Sequence, residues 1–156
     1  MPKKETQPLG FPGLNLGNIV GGVEAIPNDF PFMVDMRRGG HWCGASLINE
    51  EWVVTVADCT TAAPSDYSLT IGDHNINVVE GTEQTRQAVM IITHPEYGTP
   101  FRYENDIALM KVSPPFNFIS QVQPVILPEF NFAPTDTSHD IIQFVDMASS
   151  TRSPLP

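Results

Sequence analysis

The side chains in this sequence that could do chemistry are scattered carboxylates, histidines and two cysteines. Acyl transfer by a serine needs a nucleophile, a base beside it, a group that orients this base, and backbone donors for the developing oxyanion. Taken alone, Asp106 is expected to cap a turn before a strand. Cys43 and Cys59 could form a disulfide or remain two buried thiols, since a cysteine count alone does not fix the redox compartment.

An acidic segment between Gly72 and Glu83 is a second candidate for chemistry. Calcium needs several hard oxygen ligands on a loop that can wrap around the ion. Without such an ion, the segment is an acidic surface loop.

The overall charge excludes two classes of partner. The 156 residues suit one domain, and 8 basic against 18 acidic side chains give a formal net charge of −10. Such a charge argues against nucleic acid or an anionic membrane surface as partner. No stretch approaches the roughly 20 apolar residues of a membrane helix. Met1 to Asn18 lacks the apolar core of a signal peptide, so we expect no signal peptide in this chain.

Short apolar runs separated by turn residues must form the elements that position the carboxylates, histidines and cysteines. The runs are rich in Val, Ile and aromatic residues, and none keeps a helical period over a dozen residues. Several short strands of this kind indicate an all-β sandwich or barrel. Val53-Val54 and Ile91-Ile92 predict strands that are covered on both faces. The predicted strands cover residues 32–36, 42–48, 52–57, 67–71, 86–93 and 107–112.

The ends of the chain differ from its middle in composition. Residues 1–18 are rich in Pro, Gly and Asn and predict a flexible leader. Gln121 to Phe132 contains Pro and Asn among apolar residues and predicts an extended connection. Ala133 to Pro156 predicts a divergent, poorly ordered tail, in which Ile141 to Val145 could form one strand.

Four motifs in order give the chain a clear resemblance. They are Ile19-Val20-Gly21-Gly22, His41 to Ile48, Trp52 to Cys59, and Asn105 to Lys111. In order and spacing these resemble the chymotrypsin/trypsin family of serine proteases from Ile19 to about Phe132. The resemblance implies an all-β fold, an antiparallel Greek-key β-barrel that is the first of the family's two barrels. We therefore predict a barrel and linker at residues 19–132, and expect the second barrel to be missing.

The resemblance puts Asp106 at the position of the triad acid, but it does not supply the base. The family has a histidine immediately before the second cysteine of this motif, where this chain has Asp58. An aspartate has a pKa of about 3.9, against about 6.5 for histidine, so a carboxylate is a poor proton shuttle at neutral pH. Asp58 would also lie near Asp106, and two adjacent carboxylates repel each other.

No residue replaces the nucleophile or the base. The family's nucleophile stands in a Gly-Asp-Ser-Gly-Gly segment, whereas no serine here follows a Gly-Asp pair and the last glycine is Gly98. We therefore expect no oxyanion loop. His41, His74 and His94 stand where the family has residues that are not catalytic. Asn18, before the activation site, lacks the positive charge that a trypsin-like activator reads.

Two further features follow from the resemblance. Cys43 and Cys59 match a family disulfide, which would close a loop of about 15 residues and contribute roughly 3 kcal/mol. The acidic segment resembles the calcium loop of trypsins. The predicted calcium ligands are the carboxylates of Asp73, Glu80 and Glu83, and the backbone carbonyls of Asn75 and Val78. Asp73 replaces the glutamate that is usual at its position.

The sequence thus predicts a trypsin-like serine endopeptidase homologue that is catalytically inactive. It would be extracellular, as its family is, and would act by binding a protein partner or a protease inhibitor through the exposed inter-barrel face. The alternative is an active secreted endopeptidase whose sequence, at Asp58 and beyond, is incomplete or misread. A truncated product without function is a third interpretation.

Overall fold

A computed structural model describes residues 24–128 of the chain as an all-β structure. Each of the six predicted strands is present, with ends displaced by a few residues at most, so the prediction of an all-β fold is confirmed. Two single 3-10 turns, Ala57–Cys59 and Pro64–Asp66, interrupt the strands, and neither could span a membrane. The strands are β1 Met33–Arg37, β2 His41–Leu47, β3 Trp52–Thr55, β4 Ser68–Ile71, β5 Gln84–Thr93 and β6 Ala108–Ser113.

The strands close into an antiparallel barrel in the order β1-β2-β3-β6-β5-β4. Closure comes from β1, which pairs with β2 on one side and with β4 on the other. Around this barrel β4 lies beside β1, followed by β2 and β3, which is the 4-1-2-3 order of a Greek key. The barrel leaves no open edge among these strands.

Alternating side chains of the strands fill the interior of the barrel. In β1, for example, Val34 and Met36 are fully buried and point inward. Tyr67 is also buried, and its hydroxyl accepts a hydrogen bond of 2.9 Å from the backbone N–H of Ala62. The buried cluster consists of Val34, Met36, Ala45, Leu47, Val53, Tyr67, Leu69, Ile71, Ala88, Met110, Val112, Phe116 and Val122.

The prediction that both faces of β5 are covered is wrong for the described chain. Ile91 packs against the core, but Ile92 is 47% exposed. The physical reason is the alternation itself: Ile92 pairs with Leu109 on the outer face of the barrel, where no described element covers it.

Gln121 and its successors form the predicted extended connection as far as the structure describes them. The backbone N–H of Gln123 donates to the carbonyl of Pro31 at 3.0 Å, and that of Val125 donates to the carbonyl of Leu47 at 2.8 Å. The leader at 1–18, the motif that starts at Ile19, and the tail at 133–156 lie outside the described residues.

The acidic segment leaves the barrel at Gly72, directly after β4. Gly72 has φ +77°, and a Cβ there would lie 2.4 Å from the carbonyl oxygen of Thr82. The Thr82 hydroxyl in turn donates to the Gly72 carbonyl at 2.6 Å. Only a glycine allows this close approach, which holds together the two ends of the loop at residues 73–81.

Candidate functional site

Asp106 lies just before β6 and turns its carboxylate toward the end of β3. Its Oδ1 accepts a hydrogen bond of 2.9 Å from the backbone N–H of Asp58. Asn105 supports this turn in the left-handed region, at φ 53°, and its side-chain amide donates to the carbonyl of Glu96 at 3.2 Å. The predicted acid position and the predicted base position are thus neighbours.

Asp58 reaches this place because the chain leaves β3 in a 3-10 turn instead of continuing as a strand to Ala57. The N–H of Cys59 donates to the carbonyl of Val56 at 3.3 Å. A disulfide then joins Cys59 to Cys43 of β2, with 6.4 Å between their Cα atoms, which confirms the predicted bridge. The turn is fixed further by Trp42, whose indole N–H donates to the Cys59 carbonyl at 2.9 Å.

The side chain of Asp58 is exposed and turns to a tyrosine. The hydroxyl of Tyr97 donates to Asp58 Oδ1 at 3.1 Å. Loss of hydration raises the pKa of Tyr97, and so do its hydrogen bond to Asp58 and the charges of Asp58 and Asp106. The site therefore combines two carboxylates with a phenol that keeps its proton. It offers negative charge and hydrogen-bond acceptors, and the described residues place no imidazole beside them to carry a proton.

The three histidines considered as substitute bases make their contacts elsewhere. His41 Nδ1 lies 2.7 Å from Asp35 Oδ1, and His74 Nε2 lies 3.0 Å from Glu24 Oε1. The Nδ1 of His94 accepts the backbone N–H of Glu96 at 3.2 Å.

An open cleft of ≈ 460 Å³ lies beside Asp106. Its walls are mainly apolar and come from β1, β2 and the residues around β3 and β6. Val56 and Ile107 are 42% and 46% exposed there. The lining includes Met33, Gly44, Val54, Val56, Asp106 and Ile107.

The acidic loop brings three predicted calcium ligands together. Among the described residues, one oxygen each of Asp73, Glu80 and Glu83 lie within 4.8 Å of one another. The side chain of Asp73 is 4% exposed, and its buried Oδ1 has no hydrogen-bond partner among the described residues. A buried carboxylate oxygen without a partner is costly, and a cation would satisfy it. The donor set consists of hard oxygens and fits calcium.

Backbone groups hold the other two carboxylates. Glu80 Oε2 accepts the N–H of His74 at 2.8 Å. Glu83 accepts the N–H groups of Glu80 and, at 2.7 Å, of Gly81, and these bonds lower the pKa of Glu83. The two residues predicted to give carbonyl ligands belong to one turn, in which the N–H of Val78 donates to the carbonyl of Asn75 at 2.8 Å.

Burial raises the pKa of Asp73 from 3.8 to about 6. The nearby guanidinium of Arg37 acts in the opposite direction, whereas the carboxylates of Asp35, Glu83 and Glu80 raise the value further. The charge of Asp73 is therefore poorly balanced in the cation-free loop.

Asp35, Arg37 and Tyr97 were not predicted from the sequence to take part in either site. Asp35 carried a usable signal, since a charged residue inside the apolar run 32–36 must be paired if it is buried. No comparable signal pointed to Tyr97, whose contact with Asp58 joins residues far apart in the chain.

Comparison with known proteins shows similarity to one protein family over most of the chain. The family model named Trypsin matches residues 19–144, and so reaches into the tail that begins at Ala133. The chain is 42% identical to Serine protease 1 of Rattus norvegicus over 120 residues, 77% of this chain and 47% of the relative. It is 42% identical to Trypsin of Sus scrofa over 118 residues, 76% of this chain and 49% of that protein. Against Trypsin-2 of Salmo salar, the identity is 40% over 133 residues, or 85% and 55% of the two chains. The chain thus spans about half the length of these curated relatives.

The raised pKa of Asp73 predicts a pH dependence of stability in calcium-free buffer. A carboxyl with a raised folded-state pKa stabilises the fold below its unfolded pKa, and this contribution is lost as the pH rises through about 6. We expect the free energy of unfolding to fall more steeply between about pH 4 and about pH 7 in wild type than in Asp73→Asn. Urea denaturation at several pH values in this range measures how the free energy of unfolding of each protein depends on pH. The same dependence in both proteins would contradict a raised pKa for Asp73.

Proposed function

Since this chain belongs to the trypsin family of serine proteases, we propose that it is a serine endopeptidase homologue that does not hydrolyse peptide bonds and acts by binding protein. The proposal includes an extracellular location, which family membership and the Cys43–Cys59 disulfide support. The activity, substrates and partners of its longer relatives are not assumed for this chain.

The observation that carries this proposal is the identity and environment of residue 58. The Ser-His-Asp triad is defined on this very family, in which loss of a triad member costs several powers of ten in rate. Asp106 keeps a carboxylate beside the end of β3, but its neighbour Asp58 presents a second carboxylate bonded to Tyr97. At neutral pH, a carboxylate at residue 58 is too weak a base to accept a proton from a serine. It also cannot form the positively charged group, an imidazolium in the family, that the Asp106 carboxylate would stabilise.

The active alternative has its own support. An identity of 42% to trypsins and the retained Asp106 contact fit a working protease whose residue 58 is a histidine in the native protein. The mass of the native protein and the residue found at position 58 separate the two proposals.

We expect the native protein to show neither hydrolysis of arginine or lysine peptide substrates nor labelling by a fluorophosphonate. If the native chain continues into a segment with a nucleophilic serine, Asp58→His should raise hydrolysis by about 10³-fold or more, because it restores the base. The further change Asp106→Asn should remove this gain, because the new imidazole would lose the group that orients it. Labelling or turnover by the unaltered protein would refute the proposal.

The cleft beside Asp106 supports a binding role. Exposed apolar side chains around a concave surface mark protein interaction sites more often than the rest of a surface does. Val56 and Ile107 project at this cleft next to the Asp106 carboxylate, so the partner we propose is a protein surface with an apolar centre, such as a protease inhibitor.

A proteinaceous trypsin inhibitor is the probe for this surface. We expect Ile107→Glu to weaken its binding at least about tenfold in surface plasmon resonance, because a charge replaces an apolar contact. The matched control is Val89→Glu: Val89 is similarly exposed, at 51% against 46%, but lies in the bulge of β5 next to Ala88, which pairs with Val112 near the other end of β6. Equal effects of both changes, or no binding by wild type, would argue against this surface.

We further propose that the acidic loop binds calcium. Asp73, Glu80 and Glu83 would give carboxylate oxygens, and Asn75 and Val78 would give backbone carbonyls. The orphaned, buried Asp73 Oδ1 supports the proposal. Bound calcium would supply positive charge that offsets the mutual repulsion of the three carboxylates.

For the wild-type chain, isothermal titration should give a calcium Kd on the order of 10⁻⁴ to 10⁻³ M. The double change Glu80→Gln/Glu83→Gln should abolish binding, because it removes two carboxylates. Glu96→Gln, which changes an acidic side chain outside this loop, should leave binding unaltered. A double variant that still binds like wild type would show that the ion lies elsewhere.

A further inference from the structure

A buried carboxylate on the outside of β1 holds an arginine against the acidic loop. Val34 and Met36 point into the barrel, so the alternate residues Asp35 and Arg37 lie on its outer face. Asp35 is nevertheless fully buried. Its two oxygens accept hydrogen bonds from the Nε of Arg37 and, at 2.7 Å, from the ring Nδ1 of His41.

The other end of the same guanidinium faces the loop. Arg37 Nη2 lies 3.4 Å from Asp73 Oδ2 and 3.4 Å from the carbonyl oxygen of Ile76. Both distances are long for a charge-assisted hydrogen bond, so these contacts are weak compared with the pairing to Asp35. Arg37 is thus anchored at its Nε and only loosely engaged at its Nη2.

Asp73 therefore faces two cation positions at once. Its Oδ2 meets Arg37, and its Oδ1 is buried without a partner among the described residues. One of its oxygens also lies within 4.8 Å of oxygens of Glu80 and Glu83. A divalent ion bound to this cluster would lie close to a fixed positive charge, and the two cations would repel each other.

We propose that Arg37 is a built-in competing cation, a residue that sets the affinity of the acidic loop for calcium without being a ligand. This inference rests on the proposed calcium site. Arg37 partly neutralises the loop when no ion is bound, and it lowers the affinity when an ion enters. Calcium consequently adds less stability to this chain than it would to the same loop without Arg37.

The test removes this charge without leaving Asp35 alone. Arg37→Gln deprives a buried carboxylate of one of its two partners, so the informative variant is Asp35→Asn/Arg37→Gln, which removes both charges. Asp35→Asn alone keeps the arginine and controls for the second change. Arg38→Gln is the control for loss of a neighbouring arginine, because Arg38 is the next residue but stacks on the rings of Trp42 and Tyr67, at 5.5 and 6.0 Å.

Calcium is titrated into each purified variant by calorimetry, and the melting temperature is measured with and without calcium. We expect the double variant to bind about tenfold or more tightly than wild type, and to show a larger rise in melting temperature with calcium. Asp35→Asn should bind no more tightly than wild type, because it keeps the arginine and removes an anion, and Arg38→Gln should stay within about twofold of wild type.

The outcomes distinguish this inference from the proposal on which it rests. If wild type and the double variant bind calcium equally, Arg37 does not compete and the inference falls, while the calcium site stands. If Arg38→Gln tightens binding as much as the double variant, loss of any arginine in this region has the same effect, which also overturns the inference. If no variant binds, the calcium site and the inference fall together. Binding by the double variant where wild type shows none would support both.

Discussion

Pairing of β3 with β6 is the constraint on which the candidate site depends. In this pairing Thr55 lies opposite Ala108, so the residues that follow β3 and those that precede β6 meet at one end of the barrel. Asp58 and Asp106, which are 48 residues apart in sequence, become neighbours for this reason alone. The disulfide to β2 and the indole of Trp42 then hold the turn after β3 in position. A barrel whose strands all find two neighbours keeps this arrangement stiff, since no edge is free to fray.

The geometry shows that the scaffold around residues 58 and 106 and the proton relay are separate features, although both are typical of the family. The backbone contact between residues 58 and 106 depends on the strand pairing and the turn, and it does not need a histidine side chain. A proton relay also needs an imidazole at residue 58, which Asp106 alone does not replace. A chain can therefore keep the family's scaffold at 42% identity and still present a pair of carboxylates where a base would be needed. The binding role that we propose would use this surface, in which the apolar cleft offers contact area and the negative charge orients a partner.

Charge is distributed unevenly over the barrel wall. On the side of β1, the anions Asp35 and Asp73 are buried and share the single guanidinium of Arg37. Buried charges are tolerated only when partners offset their loss of hydration. Asp35 contacts both Arg37 and His41, whereas Asp73 has only a long contact to Arg37 among the described residues. Burial raises the pKa of Asp73, and its Oδ1 has no partner in the described part of the chain. The loop and β1 are for this reason one electrostatic unit, although they are distant in the sequence.

The amino-acid sequence by itself determined the strands and the identity of the groups that could react. Apolar runs bounded by turn residues predicted all six strands, because β-propensity and alternation are local properties, and the four motifs located Asp58, Asp106 and the disulfide through their resemblance to a family. Tertiary structure alone decided that Ile92 of β5 stays exposed and that Asp35 is buried. It also decided that Tyr97 bonds to Asp58 and that Arg37 contacts both Asp35 and Asp73. Each of these depends on which strand or loop covers a given side chain. Burial and charge pairing are set by closure of the barrel across tens of residues, and no local pattern records which segments that closure brings into contact.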